Sequence, residues 1–342
     1  MRLPRLSGLT VAAIFGLLAS SGAAGPDAES MKAIVIHAYG GPEVLKLEEV
    51  PRPQPKDDEV LIRVVAASIN PVDVGIREGY MAHMVEKMKL PLIPGMDAAG
   101  MVEKTGSKVT KFRKGDPVFS FFTLEGQGGY AEFVTAKEDE VAVKPSAVNY
   151  AQAAAVGAAG STAWEALVDA AQLRAGQAVL IHGGSGGVGH LAVQIAKARG
   201  AKVFATGSSA NQDFLKQIGA DVAIDYTKTK FEDVAKDVDV VLDSVGGDTL
   251  ERSYGVVKKG GIIVTIMGMI KQAELDRRGI RGKSLICVPK AGVLDHLAEL
   301  MEAKKLTPVV SQTYPLAEVA NAQEQIATRH TRGKIALEVS KA

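Results

Sequence analysis

The chain has 342 residues, 46% of them hydrophobic, which suffices for a large core and divides into about two domains of ordinary size. Lys and Arg number 40 against 39 Asp and Glu, a formal net charge of +1 that gives no argument for nucleic acid or another polyanionic partner, and none is expected. Cys287 is the single cysteine, so no intramolecular disulfide forms and any zinc site has at most one thiolate.

In chain order, the N-terminus stands apart. Arg2 and Arg5 precede an uncharged, mostly apolar run from Leu6 to Ala19, followed by small residues, the order of a secretory signal cleaved after Ala23 or Ala24. The run is shorter than the roughly 20 apolar residues of a transmembrane helix. The expectation is a signal peptide over 1–24, a linker over 25–30, a periplasmic or secreted protein, and no stable membrane span after cleavage. The alternative is a cytoplasmic protein started at Met31, where "MKAIVIHAYG" opens like a first strand.

From Lys32 to about Ser146 the runs "KAIVIH", "EVLIRVVAAS" and "GYAEFVTA" are β-rich, and "PRPQP", "INPVD", "PGMDAAG" and "RKGDPV" punctuate them as turns. From about Tyr150 to Lys290 short apolar runs alternate with helical segments: "AVLIHG", "AKVFATG", "DVAIDY", "VDVVLDSVGG", "GGIIVTIMG" and "KSLICV". Such alternation implies a parallel sheet covered on both faces. After Pro289, "LDHLAELMEAKKL" and "LAEVANAQEQIA" read as helices and "GKIALEV" as a last strand.

The first βα turn carries the chemistry. Gly184, Gly186 and Gly189 stand in G-x-G-x-x-G register after a strand, with Gly187 and Val188 between them. The first glycine permits the tight turn, the second admits pyrophosphate against bare backbone, and the third lets helix pack on strand. Val188, Leu191, Ala192 and Ile195 form one helical stripe and Gly200 ends it. A dinucleotide is the implied ligand. The second strand ends in "FATGSSANQ", which lacks the acid that holds an NAD ribose. Ser208, Ser209 and the N–H groups near Asn211 either receive a 2′-phosphate at a helix start or serve only as caps. NADPH is therefore expected over NADH.

The chain resembles the medium-chain dehydrogenase/reductase superfamily and, within it, the zinc-independent quinone oxidoreductase group. The resemblance rests on "ASINPVD", "PGMDAAG", "KGDPVF", "GGYAEFV", "GSTAWEAL", "GGSGGVG", "DVVLDSVGG" and "TRGKIAL", and covers essentially everything after residue 30. It implies an α/β protein with a GroES-like β-rich catalytic domain over 31–150 and 290–342 and a Rossmann NADPH-binding domain over 151–289, the site lying between them. It also implies a homodimer through Rossmann sheet edges.

In the superfamily's alcohol dehydrogenases a Cys and a His hold zinc in the regions that here read "INPVD" and "PGMD". This chain has Asn70 and Met96 near those positions, and its six histidines show no H-x-x-x-H pairing, so no metal is expected. Asn70 and Asp73 match the turn beside the nicotinamide, as hydrogen-bonding groups or as ordinary turn residues. Tyr80 matches an aromatic of the substrate wall or plain packing, and Thr162 the nicotinamide side. Gly246 and Gly268 follow the fourth and fifth strands, while Tyr226 and Arg329 match positions near the adenosine 2′-phosphate. Gln212 replaces a lysine of many relatives. The resemblance thus implies hydride transfer from NADPH to a quinone or enone; a 2-alkenal or enoyl-thioester reductase and a non-catalytic NADPH-binding protein are the alternatives.

Overall fold

The structure, a computed structural model, describes residues 29–80, 89–123 and 127–341. The expected signal peptide lies outside the described residues.

A hairpin of Ser30–Val35 and Lys46–Pro51 leads into the first unit. Its spine is the long strand Glu59–Ile69, which pairs antiparallel with Asp97–Thr105, Phe133–Lys137 and Lys334–Glu338. Val60, Ile62 and Val64 enter one apolar cluster, Ala67 and Ile69 another. Being buried on both faces, the strand reads as an apolar run rather than an alternation. Pro117–Phe121 and Val141–Val143 extend one side of the sheet and Val310–Pro315 the other. The two C-terminal strands therefore complete an N-terminal sheet, and one register matters for the site: Ile335 pairs with Ile69, which sets Lys334 beside Asn70.

The second unit is a six-stranded sheet, parallel throughout, ordered Val222–Asp225, Lys202–Gly207, Ala178–Ile181, Val238–Asp243, Val257–Thr265, Arg281–Ser284. Chain order reverses between Ala178–Ile181 and Val238–Asp243, the switch point where such sheets bind ligands beyond their carboxyl ends. Alternation sorts the two faces: Val179 and Ile181 join the cluster of Leu191 and Ile195, whereas Leu180 joins Phe204, Ile224 and Phe231. Helix Gly187–Ala198 buries Leu191, Ala192 and Ile195 of the predicted stripe and leaves Val188 half-buried, and Gly200 ends it at φ +77.

Two differences from the sequence reading stand out. Asp97–Thr105 and Pro117–Phe121 are strands where turn punctuation was expected. The first is rich in Ala and Gly because it lies so close to Glu59–Ile69 that a Cβ at Gly100 would strike the Arg63 carbonyl. "KSLICV" is strand only through Ser284; Ile286 and Val288 are exposed. Helix Val293–Glu302 buries Leu294, Leu297 and Met301 in an apolar cluster that draws on both units, and the chain rejoins the β sheet at strand Val310–Pro315.

Candidate active site

At the switch point, Ile181 ends its strand and Gly183 turns the chain at φ +66. Gly184 N–H donates to the Thr206 carbonyl at 2.9 Å and Gly186 N–H to the Gly183 carbonyl at 2.9 Å, which closes the turn. Helix Gly187–Ala198 then starts with no side-chain cap, leaving its first N–H groups for an anion. A Cβ at Gly189 would run into the Gly183 carbonyl, so helix and strand touch there; a Cβ at Gly186 would find only that carbonyl oxygen, at 3.3 Å. The turn is thus tight behind and bare in front, and it fits a dinucleotide pyrophosphate. Buried His190 fixes it from below, its Nδ1 hydrogen-bonded to the Gly186 carbonyl at 2.8 Å and its Nε2 accepting from Val309 N–H at 3.2 Å. Burial holds its imidazole neutral by pulling the pKa down to about 4, and does the same to His182, which lies between Thr206 and Ser253.

Across from this turn is a buried polar cluster. Asn70, 6% exposed, begins helix Pro71–Arg77. Its Nδ2 donates to Asp97 Oδ2 at 2.7 Å, and its Oδ1 accepts from Lys334 Nζ at 2.5 Å. Asp97 also takes Ser68 Oγ at 2.5 Å and, through Oδ1, Ala158 N–H at 2.6 Å, at the start of helix Gly157–Trp164. Asp73 Oδ2 accepts from Asn70 N–H at 2.7 Å and from Tyr130 O–H at 2.7 Å. Burial, outweighing those two hydrogen bonds, pushes the Asp73 carboxyl up to about 7; burial, reinforced by Asp73, pushes the Tyr130 phenol well above its ordinary range. Burial also draws the Lys334 ammonium down, while Asp97 and Asp73 hold it up.

The family models for the alcohol dehydrogenase GroES-like domain and for zinc-binding dehydrogenases match residues 56–146 and 218–337. A pig (Sus scrofa) quinone oxidoreductase is 38% identical over 321 residues, 89% of this chain and 95% of its own. The chain belongs to the quinone oxidoreductase group of the medium-chain dehydrogenase/reductase superfamily. The NADPH-dependent alkenal/one oxidoreductase of Arabidopsis thaliana chloroplasts is also 38% identical, over 90% of this chain and 79% of its own. The quinone oxidoreductase structure from Coxiella burnetii superposes with a TM-score of 0.83 at 35% identity, covering 91% of this chain and 100% of that one. The two units are accordingly the group's GroES-like and Rossmann domains.

A catalytic zinc does not fit the residues present in this member of the group. Asn70 is committed to Asp97 and Lys334, and Met96 is half-buried against apolar neighbours. Burial pushes the Cys287 thiol up to about 12, and among the described residues no three of His, Cys, Asp and Glu converge.

The structure brings Asn70 and Asp73 together and sets Thr162 on the helix whose start Asp97 holds, its Oγ1 donating to the Ala158 carbonyl at 2.7 Å. Tyr80 is 74% exposed and takes no part in the buried cluster. Gly184, Gly186, Gly187, Val188 and Gly189 form the turn. Gly246 starts a helix at φ +77 against the Met267 carbonyl, beside the exposed Gly268. Ser208, Ser209, Asn211 and Tyr226 meet at the ends of the second and third strands, where Tyr226 N–H reaches the Gly207 carbonyl at 3.3 Å.

That corner also holds two residues that the sequence reading did not name, Asp225 and Arg332. Ser209 Oγ donates to Asp225 Oδ2 at 2.5 Å, so an acid does stand near, supplied by the third strand rather than the second. Ser209 and Thr227 together draw that carboxyl down to about 2. Arg329, at φ +59, is exposed, and Arg332 reaches the corner: Nε donates to Asn211 Oδ1 at 2.8 Å and Nη2 to the Ala210 carbonyl at 2.9 Å. Gln212 caps the Gly207 and Ser208 carbonyls with its amide. Asp97 and Lys334, inside the motifs "PGMDAAG" and "TRGKIAL", are the site residues that sequence reasoning passed over.

Proposed function

We propose that this protein is a zinc-independent reductase that uses NADPH to reduce the conjugated carbonyl system of a quinone or an α,β-unsaturated carbonyl compound. The observation that carries this is the bare glycine turn facing the Asn70–Asp97–Lys334 cluster across the two domains. NADPH, when bound, supplies hydride from its nicotinamide ring. The chain does the rest. The glycine turn and the uncapped helix start hold the pyrophosphate, and the second N–H of the Asn70 amide, uncommitted among the described residues, offers a donor to an acceptor oxygen as charge builds on it. A conjugated acceptor spreads that charge, so a neutral donor suffices where an alkoxide would need a metal. Kinship with an alkenal/one oxidoreductase makes 2-alkenals the second acceptor class, and parallel rates with 2-alkenals, enones and quinones distinguish the classes.

Arg332, together with Ser208 and the N–H groups near Asn211, is the site for the 2′-phosphate. Arg332→Ala is expected to weaken NADPH by about ten- to a hundredfold, the worth of one charge-assisted hydrogen-bonded contact, and to leave NADH unchanged. Fluorescence titration of Arg332→Ala beside Arg329→Ala checks this; a larger effect at Arg329 returns the role to that residue.

Two further features belong to the same reading. The edge strand Arg281–Ser284 is flanked by exposed Met267, Met269, Ile286 and Val288, which supports a homodimer through that edge; a monomer mass by light scattering rules it out. The basic residues and apolar run before Ala24 support export, and N-terminal sequencing of the native protein separates a start near Gly25 from one at Met31.

A further inference from the structure

Lys334 is the first residue of a strand whose later residues, Ile335 to Leu337, are fully buried. Its own side chain is 3% exposed. Burying an ammonium carries a large desolvation cost, so an apolar residue would serve the sheet better there. Its course explains the charge. Gly333 N–H donates to the Ser185 carbonyl at 2.8 Å, clamping this segment to the dinucleotide turn, and the Lys334 Cδ lies 3.1 Å from where a Cβ on Gly187 would stand. The stem therefore passes under the start of the cofactor helix, and the ammonium emerges at Asn70 Oδ1, 4.0 Å from Asp97 Oδ2.

An asparagine amide can turn over and exchange its donor for its acceptor. Here the exchanged state would set Nδ2 against an ammonium and Oδ1 against a carboxylate, two repulsive pairs in a buried site. Only one orientation survives, with Oδ1 on Lys334, one Nδ2–H on Asp97 and the second Nδ2–H uncommitted among the described residues. The same Asp97 takes the Ala158 N–H of the helix that carries Thr162, so one set of contacts ties the cofactor turn, the amide and that helix.

We propose that Lys334 is a positioning residue for hydride transfer: lying between the cofactor turn and Asn70, it fixes the amide as a donor toward the acceptor oxygen. This rests on the reading of Asn70 as the group that steadies that oxygen. Lys334 touches no reacting atom in this scheme and acts wholly through the amide.

The test is a double-mutant cycle in kcat with 1,4-benzoquinone, using wild type, Lys334→Met, Asn70→Ala and the double variant, beside NADPH affinity by fluorescence. Lys334→Met is expected to lower kcat by about tenfold or more, with NADPH affinity changed less. The double variant should be no slower than Asn70→Ala, because the two losses are one loss. Lys334→Gln, which keeps a donor for Oδ1 without charge, should recover part of kcat, and it replaces Lys334→Met in the cycle if that variant does not fold. Losses that multiply in the double variant, or wild-type kcat in Lys334→Met, overturn the proposal while leaving the functional reading intact. A wild-type enzyme inert with every quinone and enone brings down both.

Discussion

Asn70 stands between two buried charges, so truncating it removes a donor from the site and leaves Asp97 and Lys334 without their shared partner. Asn70→Ala is expected to lower kcat by about a hundredfold, the usual cost of one donor to a developing oxyanion, while NADPH affinity changes by less than about threefold. Steady-state rates beside fluorescence titration measure both, and equal losses would assign the amide to cofactor binding. Titration adds a second prediction. His182 and His190 sit near 4 in the fold against 6.5 ordinarily, so their stabilisation is whole above about pH 6.5 and is lost as pH falls toward 4. Asp73 opposes them: raised from 3.8 to about 7, it keeps a proton that the unfolded chain releases, so its contribution grows as pH falls through the same window. Asp73→Asn removes the opposing group and should make the fall in Tm between pH 7 and 4 steeper than in wild type. An unchanged slope contradicts the assignment. Asn70 and Asp73 were reached from the sequence through the family resemblance of "INPVD". Asp97 and Lys334 were not, because a charged residue beside an apolar run reads as solvent-facing until the pairing of Ile335 with Ile69 brings the two strands together.

Among the elements, the glycine turn separates packing from binding. A Cβ at Gly189 meets backbone, whereas one at Gly186 finds only the Gly183 oxygen, at 3.3 Å, on the side left open for phosphate. Gly189→Ala should therefore lower Tm by several degrees, the cost of about 1–3 kcal/mol of overpacking, and lose NADPH binding with it. Gly186→Ala should keep Tm and lose affinity alone. Thermal melts with and without NADPH check the pair, and a common fate for both variants would contradict the division. The turn and the six parallel strands were readable because apolar runs and helical stripes alternate with little interruption. Asp97–Thr105 was not, since its Ala and Gly serve close strand contact rather than β propensity. The approach of Arg332 to Asn211 and Ala210 was not readable either, since it follows left-handed backbone at Arg329 and precedes Gly333 in the same conformation, bends that no periodicity reports.

Taken whole, the molecule places its chemistry where two domains meet, and its C-terminal strand makes the junction by lying in the first domain's sheet while its leading residues clamp the second domain's cofactor turn. On the proposed reading the junction offers a cradle for the hydride donor, an amide held between Asp97 and Lys334 and, among the described residues, no fitting zinc ligands, a combination suited to conjugated carbonyls and unsuited to alcohols. The most direct measurement is the initial rate of NADPH oxidation with 1,4-benzoquinone, 9,10-phenanthrenequinone and small enones, run beside NADP⁺ with primary and secondary alcohols. Rapid NADPH consumption with at least one conjugated acceptor and no NADP⁺ reduction by alcohols is the predicted result. Robust alcohol oxidation with inert quinones and enones would contradict the account.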